Sequence, residues 1–390
     1  MPLFTNALEE AIEKVRAAME GLSPKDLNEN YSNPNNSNDQ PGSNPVLNLL
    51  EERDAILNTP FPPNDPGAAA ERQEALDEIN ERIGQIDPKQ VIEVKNDLRS
   101  QLDGLDADDP ARAEILAQMY ELNEYIPYGS TQQLSSHNSY DTDDHDSSIT
   151  DQFNEDGIHS FELDIHSGDP DRFGEWGKDE QLDEDYYVYH NSWDQGTRIE
   201  SFSDGLQEIE ALENREPITL FVDLKGNPLE ADGLSRDVFE GLVQDKLGDK
   251  LYTPQDWINS VPGATTLDEA FELGGWPTLA NLDGRVMVVL TGGGMDGQLG
   301  DYVNGDNGAA DRIAFIAPSA GDGAHPDAVF YNTNSVQDAS ELNEDGYSTR
   351  IYHIKNLEDY QEAQEAGINH IAVNQGDSST REDYAENGGF

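Results

Sequence analysis

The sequence predicts an α/β protein whose larger part is a (β/α)8 barrel of the TIM type, preceded by an α-helical region. Three observations carry that expectation. From about residue 127 onward, short apolar runs alternate with amphipathic helical stretches, the order that pairs strands in parallel through right-handed crossovers. About eight such runs over roughly 250 residues suit a closed barrel better than a doubly wound sheet. Nucleotide-binding signatures do not organise the chain: no P-loop occurs, and the glycine run TGGGMDGQLG reads as a mobile loop.

The helical region comes first. Leu8, Ile12, Val15 and Met19 recur at helical spacing after Asn6, a residue suited to capping. The tract NENYSNPNNSNDQPGSNP has too few apolar residues to pack and reads as a linker. Further helical patterns follow in VLNLLEERDAIL, in AAAERQEALDEINERIGQI after a Pro-rich break at 60–66, and near 89–104 and 110–126. Ala75, Ile79, Ile83 and Ile86 mark the apolar face of the third helix. Residues 1–126 contain no histidine, and their carboxylates fall mainly on polar faces. They read as a helical extension without chemistry of its own, and residues 127–390 as the barrel.

The strand candidates of the barrel are GIHSFELDIH, YYVYHN, PITLFVDLKG, GRVMVVLTG, RIAFIAP, AVFYN, STRIYHI and INHIAVNQG. Helical candidates between them include FSDGLQEIEALENR, ADGLSRDVFEGLVQDKL and LEDYQEAQEAG.

Composition narrows the function. The 390 residues carry 23 Lys+Arg against 80 Asp+Glu, a formal net charge of −57. Nucleic-acid binding needs clustered cations to release counterions and is excluded. Polybasic docking on anionic lipid is excluded likewise, which leaves at most peripheral membrane contact. Hydrophobic residues at 35% and aromatics at 8% suffice for a core, so the charge reads as an acidic coat and not as disorder. Such a coat suits concentrated salt, where screening removes self-repulsion, and a halophilic source is the preferred reading over an ordinary acidic protein. The absence of cysteine excludes disulfides, thiolate metal sites and cysteine nucleophiles. MPLFTNALEEAIEKVRAAMEG shows no signal-peptide pattern, and no run approaches the length of a transmembrane helix.

In a barrel the chemistry collects where strands end. SSHNSY offers His137 and Asn138; FELDIH offers Glu162 and Asp164; YVYHNSW offers His190; LFVDLKGN offers Asp223 and Lys225. Glu162 and Asp164 stand at i, i+2, which places both on one face of a strand. Carboxylates inside apolar strands are costly unless paired or metal-bound. Three of them with an Asn carbonyl form an all-oxygen set, which favours a hard cation, Ca²⁺ or Mg²⁺, over zinc. The two histidines would then transfer protons. Taken singly, each feature has a plain structural reading: a turn for His137-Asn138, a salt-bridged layer for Glu162 and Asp164, a core histidine for His190. Their order along the chain favours the chemical reading. His145, His159, His166, His325, His353 and His370 are read as structural or surface residues.

That order resembles the phosphatidylinositol-specific phospholipase C-like phosphodiesterase superfamily, and within it the bacterial calcium-dependent phosphoinositide phospholipases C. SSHNSY resembles the family's opening H-N-S-Y, FELDIH its L-E-L-D strand, VYHN the strand carrying its second histidine, and LFVDLKGN its L-E-x-K strand. LYTPQDW, TTLDEAFELGGWPTLANLDGRVMVVL and TRIYHIKNLEDYQEAQEAGINHIAVNQ resemble family segments as well. The resemblance covers about the last two-thirds of the chain and implies a TIM barrel.

It also implies His137 and His190 as catalytic histidines, Asn138, Glu162, Asp164 and Asp223 as calcium ligands, and Lys225 as a cation for the phosphate. Asp223 stands where the family more often has Glu, and a D-L-K strand also resembles the glycerophosphodiesterase and sphingomyelinase D branch. The implied activity is cleavage of a phospholipid phosphodiester by His acid–base catalysis with Ca²⁺. The alternatives are a glycerophosphodiester or sphingolipid phosphodiesterase and a non-enzymatic calcium-binding barrel. An extracellular location is what the resemblance implies.

Overall fold

The structure is a computed structural model that describes residues 45–58, 66–106, 109–145, 147–168, 184–191, 196–213, 215–231 and 234–374. The helix expected around Leu8–Met19, the Asn/Pro-rich tract and most of the Pro-rich break lie outside them. The chain divides into two compact units, Met1–Tyr125 and Ile126–Phe390. No helix among the described residues is long and apolar enough to cross a membrane.

The first unit contains α1 (Pro45–Asn58), α2 (Pro66–Gly84), α3 (Pro88–Asp103) and α4 (Ala111–Leu122). On α2, Ala75, Ile79 and Ile83 are buried, as the helical spacing requires. Pro88 opens α3 at a position where its missing N–H costs nothing, and the Asp87 carboxylate accepts from the Lys89 N–H. Arg53 of α1 pairs with Glu121 of α4 at 2.5 Å.

The second unit is a barrel. Its strands are β1 (Gln133–Ser136), β2 (Ser160–His166), β3 (Tyr187–Val188), β4 (Ile218–Leu224), β5 (Val286–Thr291), β6 (Phe315–Ile316), β7 (Phe330–Thr333), β8 (Ser348–Ile354) and β9 (His370–Val373). Eight of them run in the order β6-β5-β4-β2-β1-β9-β8-β7, all parallel. The remaining gap is spanned where the Asn332 N–H donates to the Pro318 carbonyl at 3.0 Å. The helices are α5 (Ile149–Asn154), α6 (Phe202–Ala211), α7 (Arg236–Leu247), α8 (Pro254–Ser260), α9 (Leu267–Gly274), α10 (Gln298–Val303), α11 (Val336–Glu344) and α12 (Leu357–Glu365). Ser201, Ser235, Thr253, Thr266, Ser335 and Asn356 cap α6, α7, α8, α9, α11 and α12 by accepting backbone N–H bonds.

One expectation is corrected. YYVYHN is not a barrel strand: β3 is a two-residue segment lying antiparallel on the end of β2. The eighth barrel strand is QLSS, whose polar composition concealed it. TGGGMDGQLG leads directly into α10. Gly292, Gly294 and Gly297 have the spacing of a dinucleotide fingerprint, but here they stand in a barrel.

The barrel interior is largely aromatic near β1, β4, β7 and β9. Tyr128 and Phe330 pack on Trp276 with ring centroids 5.4 and 5.2 Å apart. Phe221 meets His370 edge-on at 5.2 Å. His370 hydrogen-bonds Tyr128 and Ser160, each at 3.2 Å, and burial pushes its imidazole down to about 3. It is a neutral core histidine.

Gly129 lies under this cluster, and a Cβ there would stand 2.2 Å from the Trp276 ring. The indole cannot retreat, because its N–H donates to the Gly346 carbonyl at 2.8 Å and Trp257 packs behind it at 4.6 Å. Gly129→Ala is therefore expected to cost roughly 1–3 kcal/mol and lower the melting temperature. A thermal unfolding curve that does not move would contradict this packing.

Candidate active site

The site is built from adjacent parallel strands. Within β2, Phe161, Leu163 and Ile165 alternate with Glu162 and Asp164, so both carboxylates share a face. On neighbouring β4, Asp223 stands directly opposite Asp164. Oxygens of Glu162, Asp164 and Asp223 lie within 4.8 Å of one another. Glu162 and Asp164 are only 3% and 1% exposed, so their charge must be met locally.

Two cations meet it in part. Lys225 Nζ lies 2.5 Å from Asp223 Oδ2 and 3.1 Å from Asp164 Oδ2. Arg350, on β8 and itself 1% exposed, pairs with Glu162 Oε2 at 2.7 Å. Its guanidinium also donates to Asn332 Oδ1 at 3.1 Å and lies 5.0 Å over the Phe221 ring. Burial alone would raise the Glu162 carboxyl, but Arg350, His137 and the Asn138 N–H hold it near 2. Asp164 is pushed well above the usual carboxylate range by burial and by the Glu162 and Asp223 charges beside it.

The donor set fits a hard divalent cation. Asp164 Oδ1 and Asp223 Oδ1 are buried with no hydrogen-bond partner among the described residues. Unpaired buried carboxylate oxygens are costly, and oxygen-only sets are what Ca²⁺ and Mg²⁺ take. The loop after β5 closes tightly over this point. Gly292 has φ +89°, and a Cβ on it would come within 1.9 Å of Asp223 Oδ1.

The residues after β1 enter from the side. The His137 N–H donates to the Val373 carbonyl at 3.1 Å, which continues the β1–β9 ladder. Asn138 then turns left-handed, with φ +49°, and its N–H donates to Glu162 Oε2 at 3.0 Å. Its side-chain amide donates to Asp144 Oδ2 at 3.2 Å, while Asn374 donates to Asp144 Oδ1 at 3.1 Å. His137 Nε2 lies 3.8 Å from Glu162 Oε2, and burial lowers its imidazole despite that carboxylate. The His190 ring stands 6.5 Å from the His137 ring. It follows β3, whose position is fixed partly by His166: this imidazole stacks on Tyr189 at 3.6 Å and donates to the Tyr189 carbonyl at 2.9 Å.

The geometry thus joins His137, Asn138, Glu162, Asp164, His190, Asp223 and Lys225 in one constellation of contacts. Arg350 and Asp144 were not singled out from the sequence. Arg350 had a signal there, a long cation inside the apolar run STRIYHI. Asp144 sits in an acidic loop and had none.

Eight parallel strands with helices between them give this unit a (β/α)8 barrel fold, with acidic and histidine side chains at adjoining strand ends. The solved structures it resembles include the calcium-dependent phosphoinositol-specific phospholipase C of a Pseudomonas species, both in its apo form and as a myoinositol complex. Each shares 19% identity, covers 66% of this chain and 93% of its own, and superposes with a TM-score of 0.54. The calcium-dependent phosphatidylinositol-specific phospholipase C of Streptomyces antibioticus also matches, at 19% identity over 64% of this chain and 95% of its own, with a TM-score of 0.49. No protein-family model and no curated protein matches the sequence. The likeness is one of fold.

Gly292→Ala is expected to displace the Asp223 carboxylate and weaken the affinity of the carboxylate trio for a divalent cation by about 10- to 100-fold, the scale found for groups that orient metal ligands. Calorimetric titration of the two proteins with calcium measures it, and equal affinities would contradict the close approach.

Proposed function

We propose that this chain is a divalent-cation-dependent phosphodiesterase that cleaves a phospholipid phosphodiester, with Ca²⁺ as the preferred ion. The observation that carries the reading is the trio Glu162, Asp164 and Asp223, the first two buried, with two buried carboxylate oxygens that have no hydrogen-bond partner among the described residues, beside a pair of histidines. Glu162, Asp164, Asp223 and the Asn138 side-chain oxygen would hold the ion. When bound, it supplies a Lewis acid for a phosphoryl oxygen and offsets charge developing at phosphorus.

The protein's own groups do the rest. Arg350 keeps Glu162 ionised and fixed. Lys225 presents a cation to the phosphate from beside the carboxylates. His190 donates a proton to the leaving alkoxide, and His137 accepts the proton of the attacking hydroxyl or hydrogen-bonds the phosphoryl oxygen. Each histidine is worth on the order of 10²–10⁴ in rate. In phosphoinositide cleavage the attacking group is the inositol 2-hydroxyl and the first product is a cyclic phosphate. A water nucleophile on a glycerophosphodiester is the second reading, favoured by the Asp223-x-Lys225 pattern. Salt adaptation belongs to the same proposal, since screening lets an enzyme of net charge −57 approach an anionic surface.

Leaving-group dependence tests the assignment. His190→Ala should lower turnover of phosphatidylinositol by about 10²-fold or more yet retain far more activity on a nitrophenyl diester, whose leaving group needs no proton. His137→Ala should depress both alike. Equal losses on both substrates in His190→Ala would refute the general-acid role, and phosphorus NMR of the products separates a cyclic from an open phosphate. On anionic vesicles turnover should rise with salt; a fall would contradict the adaptation.

A further inference from the structure

Strand β8 breaks its regular pairing at the mouth of the barrel. Its register against β9 shifts between Ile351 and Ile354, and His353 lies inside that bulge with φ +67°. This left-handed conformation costs a residue that carries a Cβ, histidine less than most, and is free only to glycine. The bulge accommodates it, and pairing resumes at Ile354 opposite Val373. Its effect is to bring the imidazole beside His137. The His353 ring stands 6.0 Å from His137 and 4.8 Å from Tyr352, edge-on to both.

The ring is exposed, and no hydrogen bond or ion pair to it occurs among the described residues. The nearby cations differ: Lys225 is held by Asp164 and Asp223, and Arg350 by Glu162 and Asn332. Nor are the histidines a metal site, since the carboxylate trio alone brings three ligating atoms together among the described residues. Strain held where it brings no hydrogen bond or ion pair is a mark of function.

We propose that His353 is a third histidine of the active site, whose ring N–H donates to a phosphoryl oxygen of the diester beside His137. The proposal rests on the phosphodiesterase reading and adds a substrate contact to it. The donor would act as other preorganised donors to a phosphoryl group do.

His353→Gly tests it, because glycine removes the ring and relieves the backbone together. The expected result is a melting temperature equal to or above that of the wild type, with kcat/KM on the diester about 10²-fold lower, the scale of one lost oxyanion donor. His353→Asn, which also tolerates the left-handed conformation, should show the same loss. A histidine kept for structure would give the reverse, a lower melting temperature and unchanged kcat/KM, and that result would overturn the proposal. A second readout is independent of turnover. In calcium-loaded protein, inorganic phosphate should shift the His353 Cε1–H resonance, assigned by its disappearance in His353→Gly; no shift would overturn the contact. A wild type with no diesterase activity would overturn the underlying reading. An active wild type with an equally active glycine variant would overturn only the third histidine.

Discussion

Three carboxylates forced together on two neighbouring parallel strands are the constraint on which the rest of the site depends. Register sets Asp164 opposite Asp223, and strand alternation sets Glu162 beside Asp164. Like charges this close and this buried repel and lack solvent. The protein answers with Arg350 behind Glu162 and Lys225 across the two aspartates. Those two cations leave Oδ1 of Asp164 and of Asp223 without hydrogen bonds among the described residues. An arrangement of this kind is poor as a stabilising device, since a buried ion cluster rarely repays its desolvation. It makes sense as a place prepared for a further positive charge.

The surrounding chain is shaped to that purpose. Asn138, Gly292 and His353 all adopt left-handed backbone close to the carboxylates or to His137. Each solves a local problem: Asn138 turns its N–H onto Glu162, Gly292 lets a loop close on Asp223, and His353 brings its exposed ring to 6.0 Å from the His137 ring. The strain is carried by the regular part of the barrel, where β4 and β5 are almost wholly buried and pair along their length. Rigid strands hold mobile chemistry in place.

Much of this was legible in the sequence, for a physical reason. Glu162, Asp164 and Asp223 announce themselves as costly charges in apolar runs, and the i, i+2 spacing states which face they share. The helix Pro66–Gly84 follows from the period of Ala75, Ile79 and Ile83. What was not legible depends on partners far along the chain or on backbone angles. YYVYHN has the composition of a strand, but composition does not distinguish a barrel strand from a two-residue antiparallel flap. QLSS was concealed because three of its four residues are polar although Gln133, Ser135 and Ser136 are all buried. Arg350 acquires meaning only when β8 is brought round to face β2. The left-handed turn at His353 leaves no trace in residue type.

The central claim is that these carboxylates form a site for one hard cation, and calorimetric titration with calcium at high ionic strength tests it most directly. High salt suppresses diffuse attraction to the acidic surface. The account predicts saturable binding of a single ion in the wild type and its loss in the Glu162→Gln/Asp164→Asn double variant. No saturable binding, or binding unchanged in the double variant, would contradict it.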